Sequence, residues 1–161
     1  MTRPRVVSAL LFSLVTLLSQ PLHAQQNAVA DSIRRHADRF IAALAAHDID
    51  QFVALFAGEP DFIYVDGGRI YPDRAALRKA GAGFVGSIKT FNAKWDPTKI
   101  LVLGPDAGVF TGVMTIQGAD TTGKVIWPNG KIWTLAYQRR QGQWKIVQAH
   151  EATVPAPRPG Q

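Results

Sequence analysis

Between residues 28 and 46 apolar side chains return every three or four positions, at Val29, Ile33, Ala37, Phe40, Ile41 and Leu44. That spacing lays them along one stripe and predicts an amphipathic helix. Asp48 then offers an N-cap, with Gln51 three residues on as its capping-box partner, and Ile49, Phe52, Val53 and Phe56 form the apolar stripe of a second helix. Gly58 and Pro60 end it. In "DFIYVD", residues 61 to 66, the period changes to two. Phe62, Tyr64 and Asp66 share one face of a short strand, Ile63 and Val65 share the other, and Gly67-Gly68 turns the chain. Pro72 and Asp73 suit the first turn of a third helix with Leu77, Ala80, Phe84 and Val85 on its apolar side. Gly81, Gly83 and Gly86 weaken its end and mark close packing, a hinge or a frayed terminus.

After Ser87 the segments "IKTFNAKW", "KILVL", "AGVFTGVMTIQG", "KIWTLAYQRR" and "QWKIVQAHEATV" are rich in β-branched and aromatic residues and are separated by turn chemistry. Asp96-Pro97 reads as a bulge or bend within one long strand. Two turn signals, Gly123 and Asn129-Gly130, compete for the main reversal before the last two strands. Helices first and antiparallel strands after them imply an α+β domain, its helices laid across one face of a curved sheet.

The last hairpin carries the candidate chemistry. A two-residue turn at Gln141-Gly142 pairs Arg140 with Gln143, Tyr137 with Ile146, Leu135 with Gln148 and Trp133 with His150. A three-residue loop would shift this register by one and put His150 on the face of Thr134. The first register is preferred because it gathers Trp133, Leu135, Tyr137, Trp144 and Ile146 on one apolar face. His150 then sits where that core opens, as a general acid or base that titrates near neutral pH. Tyr64 and Asp66 would bring a phenol and a carboxylate to the same hollow. Phe40, Phe56, Trp95, Trp133, Leu135, Tyr137 and Gln148 would line it. The plainer alternatives are a half-exposed histidine at a strand end, an aspartate serving its turn, and aromatic residues that only fill the core.

Composition narrows the function. Arg3 and Arg5 precede an uncharged run from Val6 to Leu18, and Leu22-His23-Ala24 supplies a small residue for cleavage, so residues 1–24 read as a secretory signal. The 13-residue run is short for a membrane span, and the product is expected in the periplasm or outside the cell. Removing 24 of 161 residues leaves 137, one domain's worth, set here at residues 28–154 and followed by a proline-rich, disordered tail over 155–161. The absence of cysteine excludes thiol catalysis and disulfides. Without Arg3 and Arg5 the balance is 16 Lys+Arg against 12 Asp+Glu, with no basic run interleaved with aromatics, which argues against nucleic acid. His36 and His47 lie 11 residues apart, about 16 Å along a helix, so they cannot share a metal. No phosphate loop, nucleophile elbow or metal-ligand spacing is present, and the reading includes no metal and no cofactor.

The order of two helices, the "DFIYVDGG" strand, a third helix and long strands ending in "WTLAYQRRQGQWKIVQAHEATV" resembles the NTF2-like superfamily, and within it the SnoaL-like or DUF4440-type proteins. Thr134, Arg139, Arg140, Gly142, Trp144, Ile146 and His150, with Asp66-Gly67-Gly68, carry the resemblance most specifically, over about residues 28 to 154. It implies a cone in which three N-terminal helices pack on a strongly curved, mostly antiparallel sheet around a cavity, often with homodimerisation through the sheet's outer face. Steroid isomerases, polyketide cyclases, dehydratases, epoxide hydrolases and modules without catalysis share that fold. The tyrosine that its steroid isomerases carry on the first helix is absent here, where that helix presents Phe40. The expected function is binding of a small hydrophobic or aromatic molecule, extended in an enzyme to cofactor-independent isomerisation, dehydration or hydrolysis with His150 as acid or base. The rival is a dimerisation or protein-interaction module whose cavity is filled by side chains.

Overall fold

Ile33, Ala37 and Phe40 lose all contact with solvent, and Val29 and Leu44 nearly all, so the predicted stripe is the face on which the first helix docks. The computed structural model describes residues 7–156, with side chains described from residue 23. The first helix, α1, spans Val7–Ala45. Of the segment read as an export signal, residues 1–6 lie outside the described residues, as do residues 157–161 of the proline-rich tail. Among the described residues no helix is long and apolar enough to cross a membrane.

Helix α2, Ile49–Ala54, is capped by Asp48, whose carboxylate accepts from the Gln51 backbone amide at 2.8 Å and from the Gln51 side-chain amide, also at 2.8 Å. Gln51 thus partners the cap, through the aspartate side chain rather than through its backbone. Two short strands follow, β1 at Ile63–Asp66 and β2 at Arg69–Tyr71, joined by Gly67-Gly68 with both φ angles positive. Helix α3, Arg74–Ser87, begins two residues later than its sequence suggested: Pro72 and Asp73 lie outside its first turn, and Asp73 is instead the cap, accepting from the Ala76 amide at 2.6 Å. Gly81 is a packing glycine, because a β-carbon there would collide with Ile49 of α2.

Four long strands complete the sheet: β3 at Ile88–Gly104, β4 at Ala107–Asp120, β5 at Lys131–Arg140 and β6 at Gln143–Thr153. The order is β2-β1-β6-β5-β4-β3, antiparallel except where β1 runs parallel to β6. Strand β3 stays continuous through Asp96-Pro97, with a register shift between Trp95 and Thr98 as the proline requires. Both turn signals before β5 are used. Asp120 Oδ1 accepts from the Thr122 and Lys124 amides to close the first turn, and Val125 and Ile126 run back along β4. The chain reverses again at Trp127–Gly130, where the Gly130 amide donates to the Trp127 carbonyl at 2.8 Å.

The final hairpin starts as expected and then departs from expectation. Gln141 and Gly142 both take positive φ, the backbone of a tight two-residue turn, and Arg140 pairs with Gln143 and Tyr137 with Ile146. Between Tyr137 and Ala136 the register shifts, leaving Val147 as an extra residue, so Ala136 faces Gln148, Leu135 faces Ala149, Thr134 faces His150 and Trp133 faces Glu151. The expected Trp133–His150 and Leu135–Gln148 pairs are therefore not formed. The bulge falls where the second neighbour of β6 changes. Ile146 exchanges backbone hydrogen bonds with Leu55 and Ala57, whereas Gln148 to Glu151 pair with β1. Beyond it Ala149 and Glu151 point inward and are buried, while His150 is exposed.

Candidate functional site

The inward face of β5 reads Lys131, Trp133, Leu135, Tyr137, all buried. An ammonium on such a face needs a counter-charge, and the bulge in β6 supplies Glu151 directly opposite Trp133. Lys131 Nζ donates to Glu151 Oε1 at 2.7 Å and lies 3.6 Å from Asp66 Oδ1. Tyr64 donates its phenolic hydrogen to Glu151 Oε2 at 2.9 Å. Tyr64 and Asp66 arrive together because they alternate on β1, whose parallel pairing with β6 sets Tyr64 beside Ala149 and Asp66 beside Glu151. The Lys131 ammonium also sits 4.8 Å from the centroid of Trp127, within cation–π range.

A cavity of about 140 Å3 opens onto this cluster, lined by Tyr64, Asp66 and Glu151 on its polar side. Its apolar walls come from α1, α2 and α3 through Leu44, Phe52 and Leu77, and from the aromatic rings of Tyr71, Phe84, Trp127 and Trp133. Phe84 and Trp127 stack with centroids 4.6 Å apart and planes 15° from parallel. The indole N–H of Trp133 is buried without an acceptor among the described residues.

Burial is the main force on the Glu151 carboxyl. Together with the adjacent Asp66, which favours the protonated form, it outweighs the attraction of Lys131 and lifts the pKa from its ordinary value near 4.5 to about 7. Burial and the two carboxylates hold Tyr64 well above the usual phenol range, so it stays a neutral donor. The cluster therefore offers a carboxyl populated in both protonation states at neutral pH, a neutral hydroxyl and a fixed cation. Those are the parts of general acid–base chemistry with electrostatic support.

The sequence-predicted site divides accordingly. Tyr64, Asp66 and Trp133 come together at the cavity. His150 does not: it is exposed, on the face away from Glu151. Gln148 shares that outward face beyond the bulge. Phe40, Phe56, Leu135 and Tyr137 are close-packed in the core rather than along the cavity, with Phe40 edge-on to Trp133 at 4.8 Å as backing for that wall. Trp95 is tied elsewhere, its indole N–H donating to the Ala37 carbonyl at 2.9 Å while its ring packs on Phe110. Glu151 and Lys131 were missed. The lysine was visible in the sequence as a charge two residues before Trp133 on an otherwise apolar face, but its partner depends on the bulge.

A family model described as a SnoaL-like domain matches residues 33–157. A comparison with curated protein sequences returns no match. Among solved structures, the chain is similar to a protein of the NTF2-like family from Streptomyces avermitilis, provisionally assigned as a dehydratase, at 16% identity and TM-score 0.69, covering 81% of this chain and 99% of that one. A protein from Novosphingobium aromaticivorans, provisionally assigned as a scytalone dehydratase, is similar at 16% identity and TM-score 0.70, covering 82% and 89%. The association domain of the C. elegans kinase CaMKII is similar at 16% identity and TM-score 0.66, covering 80% and 98%.

Proposed function

The chain belongs to the SnoaL-like family of the NTF2-like superfamily, and within that fold we propose that it is a cofactor-independent acid–base catalyst acting on a small aromatic or otherwise flat, apolar molecule. One observation carries this reading: the Glu151 carboxyl is buried at the polar end of an aromatic-walled cavity and gripped by Tyr64 and Lys131, a setting whose burial pushes its pKa up to about 7. A carboxyl so placed removes a proton from carbon and returns it elsewhere, or passes it to a departing hydroxyl, which are the elementary steps of isomerisation and dehydration. Tyr64 would release Glu151 to donate to the oxygen on which charge develops, and Lys131 would stabilise that charge at short range. At about 140 Å3 the cavity is close to the roughly 150 Å3 void known to hold a benzene, so a single ring is the natural guest.

The test is hydrogen–deuterium exchange at carbon. Single-ring ketones and β-hydroxy ketones incubated with the protein in deuterated water, followed by NMR, should exchange the hydrogen next to the carbonyl or lose water. Glu151→Gln should abolish this, whereas His150→Ala should leave it intact. Exchange unaffected by Glu151→Gln would end the reading.

Residues 1–24 are read as an export signal, which would put this chemistry in the periplasm or outside the cell; sequencing the N-terminus of exported protein tests that. A second reading, a homodimer or protein-interaction module, draws on the outer face of the sheet. There Leu101 and Leu103 are 56% and 61% exposed, and Leu101 continues across the strands through Val109 to Ala136. The association domain among the similar folds is in keeping with it. Sedimentation of the wild type against Leu101→Glu separates a dimer from a monomer.

A further inference from the structure

A second hollow, sharing no lining residue with the cavity, lies between α1, α2 and the β5–β6 turn, with a volume of about 480 Å3. Its side chains include Arg39 and His36 from α1, Gln51 from α2, and Trp144 and Lys145 just after the turn. Among the described residues neither Arg39 nor Lys145 makes an ion pair. Of the acids nearby, the Asp48 carboxylate is occupied by both amides of Gln51, and Asp38 neighbours Arg39 along the helix.

Lys145 Nζ donates one hydrogen to the Ala54 carbonyl at 2.7 Å, which anchors the ammonium and leaves two donors. His36 is only 2% exposed, its ring stands edge-on to Tyr137 at 5.2 Å, and its Nδ1 has no partner among the described residues. Burial, Arg39 and Lys145 push the imidazole down to about 4, and burial, Arg74 and Arg39 hold the Lys145 ammonium below its usual range. With His36 neutral, the Arg39 and Lys145 cations repel each other across a hollow, and a bound anion would remove the repulsion.

We propose that this hollow is an oxyanion-binding site, taking the carboxylate or phosphate group of a small molecule between the Arg39 guanidinium and the Lys145 ammonium, with His36 at its back. A planar guanidinium matches two oxygens of such a group, and an anchored ammonium adds a second charge. Trp144 borders the hollow with its ring covered on one side by Arg139 at 5.0 Å, so the organic part of the ligand would meet an aromatic wall. The inference does not depend on chemistry at Glu151, and either can fail without the other.

Titrating 15N-labelled protein with inorganic phosphate and with acetate, ionic strength held constant with chloride, decides it. Saturable shifts are expected at the amides of residues 142–145 and 51–55 and at Arg39 Nε–H. The stronger of the two probes identifies the class of oxyanion. The double substitution Arg39→Gln with Lys145→Gln should weaken binding at least tenfold, and Arg69→Gln, on an exposed strand outside the hollow, should not. Shifts no greater than chloride alone produces, shifts that map elsewhere, or a double variant binding within threefold of wild type would overturn the site. Should the double variant not fold, the wild-type map decides by itself.

Discussion

Replacing Glu151 by Gln keeps the volume and leaves one oxygen acceptor where Lys131 and Tyr64 each had their own, and it removes the titration. In the folded protein the carboxyl has a pKa of about 7 against an ordinary 4.5, a difference of about 2.5 units, worth about 3 kcal/mol at roughly 1.4 kcal/mol per unit. The sign follows from proton counts. Between pH 4.5 and 7 the folded state holds this proton and the unfolded state has released it, so stability falls as pH rises through that window and stays low above it. Glutamine has no proton to lose. Urea denaturation of both proteins from pH 4.5 to 8 should therefore show the variant gaining about 3 kcal/mol on the wild type across the range. The comparison must be a difference curve, because His36 works in the opposite direction. Its imidazole, lowered from 6.5 to about 4, contributes stability that is lost as pH falls through the same region. The wild type alone would look nearly flat, while the difference isolates Glu151. A difference curve constant to within about 0.5 kcal/mol would refute the raised carboxyl and the acid–base role built on it.

Three further outcomes are expected. His150→Ala should change stability by no more than about 0.5 kcal/mol in urea denaturation, as for other exposed positions. Lys131→Met removes the one cation bound to Glu151 among the described residues, so the carboxyl should titrate above its wild-type value in carbon-13 NMR of the side chain, and the pH optimum of any turnover should rise with it. Phe40→Ala, which empties a wholly buried site between Phe52 and Trp133, should cost about 3–5 kcal/mol in chemical denaturation.

What could be read from the sequence was whatever local spacing controls. The stripe from Val29 to Leu44, the cap at Asp48, the Gln141-Gly142 turn and the shared face of Tyr64 and Asp66 all follow from residues a few positions apart, and the structure keeps them. The β5 face of Trp133, Leu135 and Tyr137 was legible for the same reason. The identity of the β6 residue opposite Trp133 was not. It depends on Ile146 being held by Leu55 and Ala57 while the following residues pair with β1, two neighbours some 80 to 90 positions away in the chain. One unpaired residue at Val147 then reverses every assignment downstream. The distinction between core and cavity also escaped local reading: Phe40, Phe56 and Tyr137 are as apolar as Trp127 and Phe84, and only the helix packing decides which rings border space.

The spare residue at Val147 gives the last strand two settings. With the slack absorbed there, a carboxylate meets the aromatic chamber; with the strand drawn straight from the same tight turn, an imidazole would arrive beside Trp133 instead. The same slide would bring Gln148 in against Leu135, where the wholly buried Ala149 now lies, so the choice of reactive group is locked to the packing of the core beneath it.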